Sequence, residues 1–157
     1  MKEVYILMHK HIIEIDKITG EEISDDKLLG FFSPKEKCKE VIKYYLKQPG
    51  FKDYPNSFFY EIVDANIDDY NDIVGEFDKY VYYLSHEWYD GEYDYVTDMG
   101  FYTTRKKANT AEKKYRLEPE YIEHQDGFCV DEYKINELHW KEGFCSWDDM
   151  DEFYKEK

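Results

Sequence analysis

Two stretches of this chain return later in it, and an internal repeat restricts the possible folds more than any composition can. Val4-Tyr5-Ile6-Leu7-Met8-His9 reappears as Val81-Tyr82-Tyr83-Leu84-Ser85-His86, with Val, Tyr, Leu and His identical at an offset of 77. Leu29-Gly30-Phe31-Phe32-Ser33 reappears as Met99-Gly100-Phe101-Tyr102-Thr103 at an offset of 70. The second offset runs on through Lys37/Lys107, Lys43/Lys113, Tyr45/Tyr115, Pro49/Pro119 and Phe58/Phe128. Gly, aromatic, cap, Pro and aromatic thus recur in register, which points to duplication. The difference between the offsets predicts a longer hairpin tip in the first copy.

Each copy reads as strand, strand, helix, strand. Residues 3–13 and 80–89 are rich in Tyr, Ile, Val and Leu, as strands are. Asp90-Gly91 signals a tight hairpin, since a type I′ turn needs positive φ at both central positions. The first copy turns through residues 16–26, and residues 27–32 and 95–102 return as the second strands. Ser33-Pro34-Lys35-Glu36 predicts a capped helix with Pro at its first position. Cys38, Val41, Ile42, Tyr45 and Leu46 form its buried stripe, and Pro49-Gly50 stops it. The second helix, from Thr103, buries Ala108, Ala111, Tyr115 and Leu117. Residues 58–67 and 128–135 close the units as third strands. Ser146-Trp147-Asp148-Asp149 caps a short C-terminal helix that turns Trp147, Met150 and Phe153 or Tyr154 inward.

The expected fold is therefore α+β: two tandem ββαβ repeats, mostly antiparallel, with both helices on one face of a combined sheet. Residues 1–70 form the first repeat, 71–78 a connector, and 79–157 the second repeat with its terminal helix. At 157 residues the chain is long enough to bury this as one compact unit.

A strand ending in His, then Gly-aromatic-aromatic-Ser, a helix, and Pro49-Gly50-Phe51-Lys52-Asp53-Tyr54-Pro55 resembles a small bacterial domain family of unknown function. In that family the closing strand runs into a His-Trp-x-x-Gly-Phe segment, here His139-Trp140-Lys141-Glu142-Gly143-Phe144. The first copy has Asp69-Tyr70 where His-Trp would fall, and the second has Glu120-Tyr121-Ile122 in place of Gly-Phe-Lys. The resemblance implies a fold and no activity. The residues themselves assign Trp140 and Phe144 a packing role, plugging a sheet edge or the groove between copies.

Charge sets the expectations about function. The net charge is −15, and residues 64–98 hold eleven acids against the single Lys79. Phosphate contact needs clustered Lys and Arg, so direct nucleic-acid or anionic-membrane binding is not expected. No apolar run approaches the length that spans a bilayer, and no secretory leader is recognisable. Cys38, Cys129 and Cys145 are odd in number and lack metal-ligand spacing, which fits the reducing cytoplasm. The acids could simply solvate an edge. Interleaved aromatics favour a docking surface instead: Glu87, Trp88, Tyr89, Asp90, Glu92, Tyr93 and Asp94 are the expected partner-binding residues.

No nucleotide loop, nucleophile elbow or metal-protease motif occurs in the sequence. Asp90, Glu92, Asp94 and Asp98 lack the calcium-loop order, so no metal and no cofactor are expected. His9 and His86 occupy matching strand positions, where a structural tip bonded to the next strand is the economical reading. The expected function is non-enzymatic: an immunity protein that binds a basic bacterial toxin, such as a nuclease, through protein–protein contact. The alternatives are a nucleic-acid mimic that inhibits a nucleic-acid-binding protein, and a small enzyme using the strand histidines.

Overall fold

The computed structural model describes residues 3–65 and 77–144. Residues 71–76 of the expected connector and the expected C-terminal helix lie outside the described residues. The chain is α+β, with the order β1 (Tyr5–Ile15), β2 (Glu22–Phe32), α1 (Lys35–Tyr45), β3 (Phe58–Ile62), β4 (Tyr80–Tyr89), β5 (Asp94–Tyr102), α2 (Arg105–Tyr115), β6 (Phe128–Lys134) and β7 (Glu137–Leu138). A 3-10 turn precedes β3 at Phe51–Asp53, and another precedes β6 at Gln125–Gly127.

The strands form two antiparallel sheets rather than one combined sheet: β3-β1-β2-β7 and β5-β4-β6. Side chains alternate across a strand, so each sheet has two faces to bury. On one face of the first sheet, Leu7, Leu29 and Phe32 pack against Cys38, Val41 and Tyr45 of α1. On one face of the second, Leu84, Met99 and Tyr102 pack against Ala108 and Ala111 of α2. The remaining faces meet each other through Val4, Phe31, Val63, Phe77, Val81 and Ile135. The helices therefore cover the outsides of two sheets packed inner face to inner face. Twisted sheets with two apolar faces each are better buried this way than in one sheet with an uncovered back.

Several local expectations are corrected. Helix α1 begins one residue later than the Ser33 cap implies, with Pro34 at the N-cap position and no side-chain cap. The Ser33 amide instead donates to Asn136 Oδ1 at 3.0 Å, which ties the helix start to the end of β6. Helix α2 is capped by Thr104, whose hydroxyl accepts from the Lys107 amide at 3.2 Å. Leu117 is 80% exposed, because the helix ends at Tyr115 before another turn can bring it inward. The first hairpin is longer than the sequence suggests, since β1 runs to Ile15 and the polar stretch from Glu22 pairs with it. Asp16 closes its loop by accepting from the amides of Ile18 and Thr19. The third strand ends at Ile62, short of the expected residue 67, and Ala65 bridges β5 at Phe101; residues 66–67 lie outside the described residues.

Strand β7 has no counterpart in the expectations. It crosses from the second sheet to the first, pairing Leu138 with Gly30 and Glu137 with Phe31. Gly30 has φ 144°, and a Cβ there would lie 2.7 Å from the Glu137 carbonyl oxygen, so the close approach requires glycine. The chain then straps the first helix. The Phe144 amide donates to the Pro49 carbonyl at 2.9 Å, Tyr44 donates to Lys141 O at 3.2 Å, and Tyr45 donates to Trp140 O. Trp140 and Phe144 pack onto the α1 core, in the packing role read from the sequence. They also cover Lys27, a buried lysine whose Nζ lies 3.8 Å from the Phe144 ring centroid and pairs with Asp25.

The helix stripe generates a stability prediction. Val41 is buried in the α1 core, so Val41→Asp should cost several kcal/mol by burying an unpaired carboxylate. Lys39 is exposed, and Lys39→Asp should stay within about 0.5 kcal/mol. Thermal melting of the two variants checks this, and equal melting temperatures would remove the amphipathic assignment.

Candidate partner-binding site

The hairpin β4–β5 carries all seven residues that the sequence singled out, but the structure divides them into two kinds. Asp90 holds the loop. Its Oδ1 accepts from the amides of Glu92 and Tyr93 at 2.8 and 2.7 Å, and its Oδ2 accepts from the Tyr95 phenol at 3.0 Å. Those backbone donors pull its carboxyl below the usual carboxylate range, because they stabilise the charged form. The Tyr95 phenol is pushed up by donating to the same carboxylate. Gly91 takes φ 100°, and its carbonyl accepts from the Tyr89 phenol at 2.7 Å.

Trp88 is the second fixed point. Its ring lies between Tyr95, 4.5 Å away with a 16° interplanar angle, and His124, 3.9 Å away at 13°. Trp88 and His124 are half-buried and Tyr95 is exposed, so Trp88 stiffens the hairpin rather than standing free as an anchor. The other five residues, Glu87, Tyr89, Glu92, Tyr93 and Asp94, are exposed. Tyr89 and Tyr93 are 63% and 60% exposed, and Val96, which the sequence reading passed over, is 62% exposed. The missed signal was register: Val96 pairs with Glu87, and directly paired residues share a face.

A matching ring pair occurs on the first hairpin, where His11 stacks on Tyr54 at 3.5 Å. Beyond it Ile12, Ile13, Ile15, Ile18 and Ile23 are exposed, Ile18 at 96%. The sequence places Ile12 and Ile13 in the first strand, and Ile18 and Ile23 in the turn of residues 16–26. Only the length of the hairpin, which outruns its sheet neighbours β3 and β7, leaves them uncovered.

The inner faces of both hairpins meet at a cavity of about 270 Å³. Ile6, Met8, Leu28 and Phe31 line it from the first sheet, and Tyr83, Asp98, Phe101 and Tyr133 from the second. Tyr83 donates to Asp98 Oδ1.

The two strand histidines are closed away. His9 is fully buried, its Nε2–H donating to the Tyr54 carbonyl at 3.1 Å, with Phe51, Phe58 and Phe144 edge-on at 5.0, 4.7 and 5.8 Å. His86 is buried likewise and donates to the His124 carbonyl at 2.8 Å, between Tyr121 and Phe128. His9 and His86 face Phe58 and Phe128 in the same cross-strand register. Burial pushes the Cys38 thiol up to about 11, and burial with the nearby Asp131 raises Cys129, so neither is an activated nucleophile. Among the described residues, no group of three or more His, Cys, Asp or Glu side chains is arranged to hold a metal ion. No described helix is long and apolar enough to cross a membrane.

Burial, aided by the charge of Lys27, lowers the pKa of His9 below its ordinary value near 6.5. The fold thus prefers neutral His9, while the unfolded chain protonates at the ordinary pKa. Its contribution to stability is complete above that pH and is lost as the pH falls toward the folded value. The wild type should therefore lose more melting temperature between pH 7 and pH 5 than His9→Phe does. Parallel pH profiles of the two proteins would show that His9 is not the titrating group.

No family model, curated protein or solved structure matches the chain.

Proposed function

We propose that this chain is a non-enzymatic, acidic binding protein of the cytoplasm that captures a basic protein. In its most concrete form it is an immunity protein neutralising a basic bacterial toxin such as a nuclease. One observation carries the reading: the β4–β5 tip presents Tyr89, Tyr93 and Val96 beside Glu87, Glu92 and Asp94 on a loop already fixed by Asp90 and the Trp88 stack. Exposed aromatic and apolar groups within a charged rim suit a protein interface, and pre-ordering the loop lowers the entropy lost on binding. Glu87, Asp90, Glu92, Asp94 and Asp98, with no lysine or arginine between residues 80 and 98, would steer a basic partner toward the tip. The same acids repel the phosphates of nucleic acid.

The test reverses charge without loosening the loop. Glu87, Glu92 and Asp94 are changed together to Lys, and Asp90 is kept because it holds the turn. The partner captured by the wild type and identified by mass spectrometry should be basic. Its affinity for the triple variant should fall by at least about 100-fold, since like charges then face one another, with the loss largest in the on-rate at low salt. Tyr89→Ala should act mainly by raising the off-rate. Surface plasmon resonance in low and high salt separates the two effects. Unchanged affinity in a folded triple variant would reduce the acidity to a solubility device and overturn the proposal.

A further inference from the structure

The cavity where the two sheets part combines features that select an organic cation. Four rings run round it in contact: Tyr83 against Phe101 at 5.3 Å, Phe101 against Phe31 at 5.7 Å, and Phe31 against Tyr133 at 5.1 Å. Aromatic faces carry negative quadrupole charge, so a cage of rings attracts a cation and desolvation strengthens the attraction. Asp98 is exposed at the cavity, and its carboxylate, though bonded to the Tyr83 phenol, keeps further acceptor sites. Ile6, Met8 and Leu28 add aliphatic wall. None of the lining residues is basic.

We infer that this cavity receives the side chain of an arginine or lysine projecting from a protein partner. The methylene stem would lie on Ile6, Met8 and Leu28, the cationic head would reach the rings, and Asp98 would pair with it. Long basic side chains are built for such sites, with an apolar stem and a charged tip. Charge complementarity favours this occupant over a neutral one, because an alcohol or alkane of equal length would leave Asp98 without a counter-charge. The inference rests on the basic-partner reading and deepens it. Glu87 and Val96 lie farther out along the same inner face, since alternation places Tyr83, Ser85 and Glu87 together and Val96 pairs with Glu87. One basic partner could thus engage the tip and fill the cavity.

The test needs no partner protein, so its failure is distinguishable from failure at the tip. The full chain, labelled at Ile, Leu and Met methyls, is titrated by NMR with n-butylguanidinium as the arginine mimic. n-Pentanol serves as the neutral match and tetramethylammonium as a compact cation. Saturable shifts confined to Ile6, Met8 and Leu28 are expected with butylguanidinium in the millimolar range. They should weaken at least about fivefold in Asp98→Asn, which still accepts from Tyr83, and in wild type at high salt, where screening is strong. Phe101→Leu keeps the cavity apolar but removes a ring, and should also weaken the guanidinium without weakening pentanol. The inference is overturned by absent saturation, by pentanol binding as tightly as butylguanidinium, or by indifference to both Asp98→Asn and salt. Tighter binding of tetramethylammonium would also overturn it, in favour of a quaternary ammonium ligand. If the titration succeeds and the triple-Lys tip variant still binds its partner, the tip reading fails while the cavity stands.

Discussion

The apolar seam between the two sheets is the contact on which the rest of the structure depends. Val4, Phe31, Val63, Phe77, Val81 and Ile135 come from both halves of the chain, so neither sheet can bury its inner face alone. Burying such side chains contributes about 1.5–3 kcal/mol each, and the seam is made only when the halves dock. Strand β7 and the 139–144 strap reinforce it by carrying the end of the second half onto the edge and helix of the first. The strap also explains the buried Lys27. Its charge is held by Asp25 and by the ring of Phe144, which remains in place only while the chain lies against Pro49 and Gly50.

This architecture separates charge by face. With the helices on the outside, Lys35, Lys37, Lys39 and Lys43 ride on α1, and Arg105, Lys106, Lys107, Lys113 and Lys114 on α2. The acids Glu87, Asp94 and Asp98 belong to the opposite face of the second sheet. The excess of 36 acids over 21 basic residues thus becomes a directed field, the one that the proposed capture of a basic partner would use. Ring stacking does the complementary mechanical work. His11 on Tyr54 and Trp88 on His124 brace each hairpin where it outruns its third strand.

Much of this was legible in sequence because it depends on local rules. The α1 stripe of Cys38, Val41 and Tyr45 and the paired histidines each follow from the spacing of residues within one element. The hairpin at Asp90-Gly91 was legible too, but not its geometry: the expected two-residue turn is a four-residue loop over residues 90–93, in which Gly91 has positive φ and Asp90 does not. The candidate site was legible as a segment but not as a division of labour. Asp90 and Glu92 are both acids in one tight loop, yet only the first has its carboxylate oxygens engaged by the loop's own donors. Trp88 resembled an exposed anchor because its stacking partner His124 lies in another element, distant along the chain.

The sequence by itself determined the α+β class, the order of elements as far as β6 and the place of the acidity. Period, turn residues and charge are properties of neighbours along the chain. Only the tertiary structure decided that there are two sheets, that their inner faces meet, and that the helices lie outside. It also decided that polar residues from Glu22 onward would continue a strand and leave the Ile12 to Ile23 hairpin uncovered. The cavity of Tyr83, Asp98, Phe101, Phe31 and Tyr133 is likewise a product of docking, assembled from strands of both sheets. The physical reason is common to all of these. An apolar strand face specifies that it must be covered, and every apolar face of the chain satisfies that demand equally well on paper. Which face covers which is settled by the shape of the packed seam, where one arrangement buries them together.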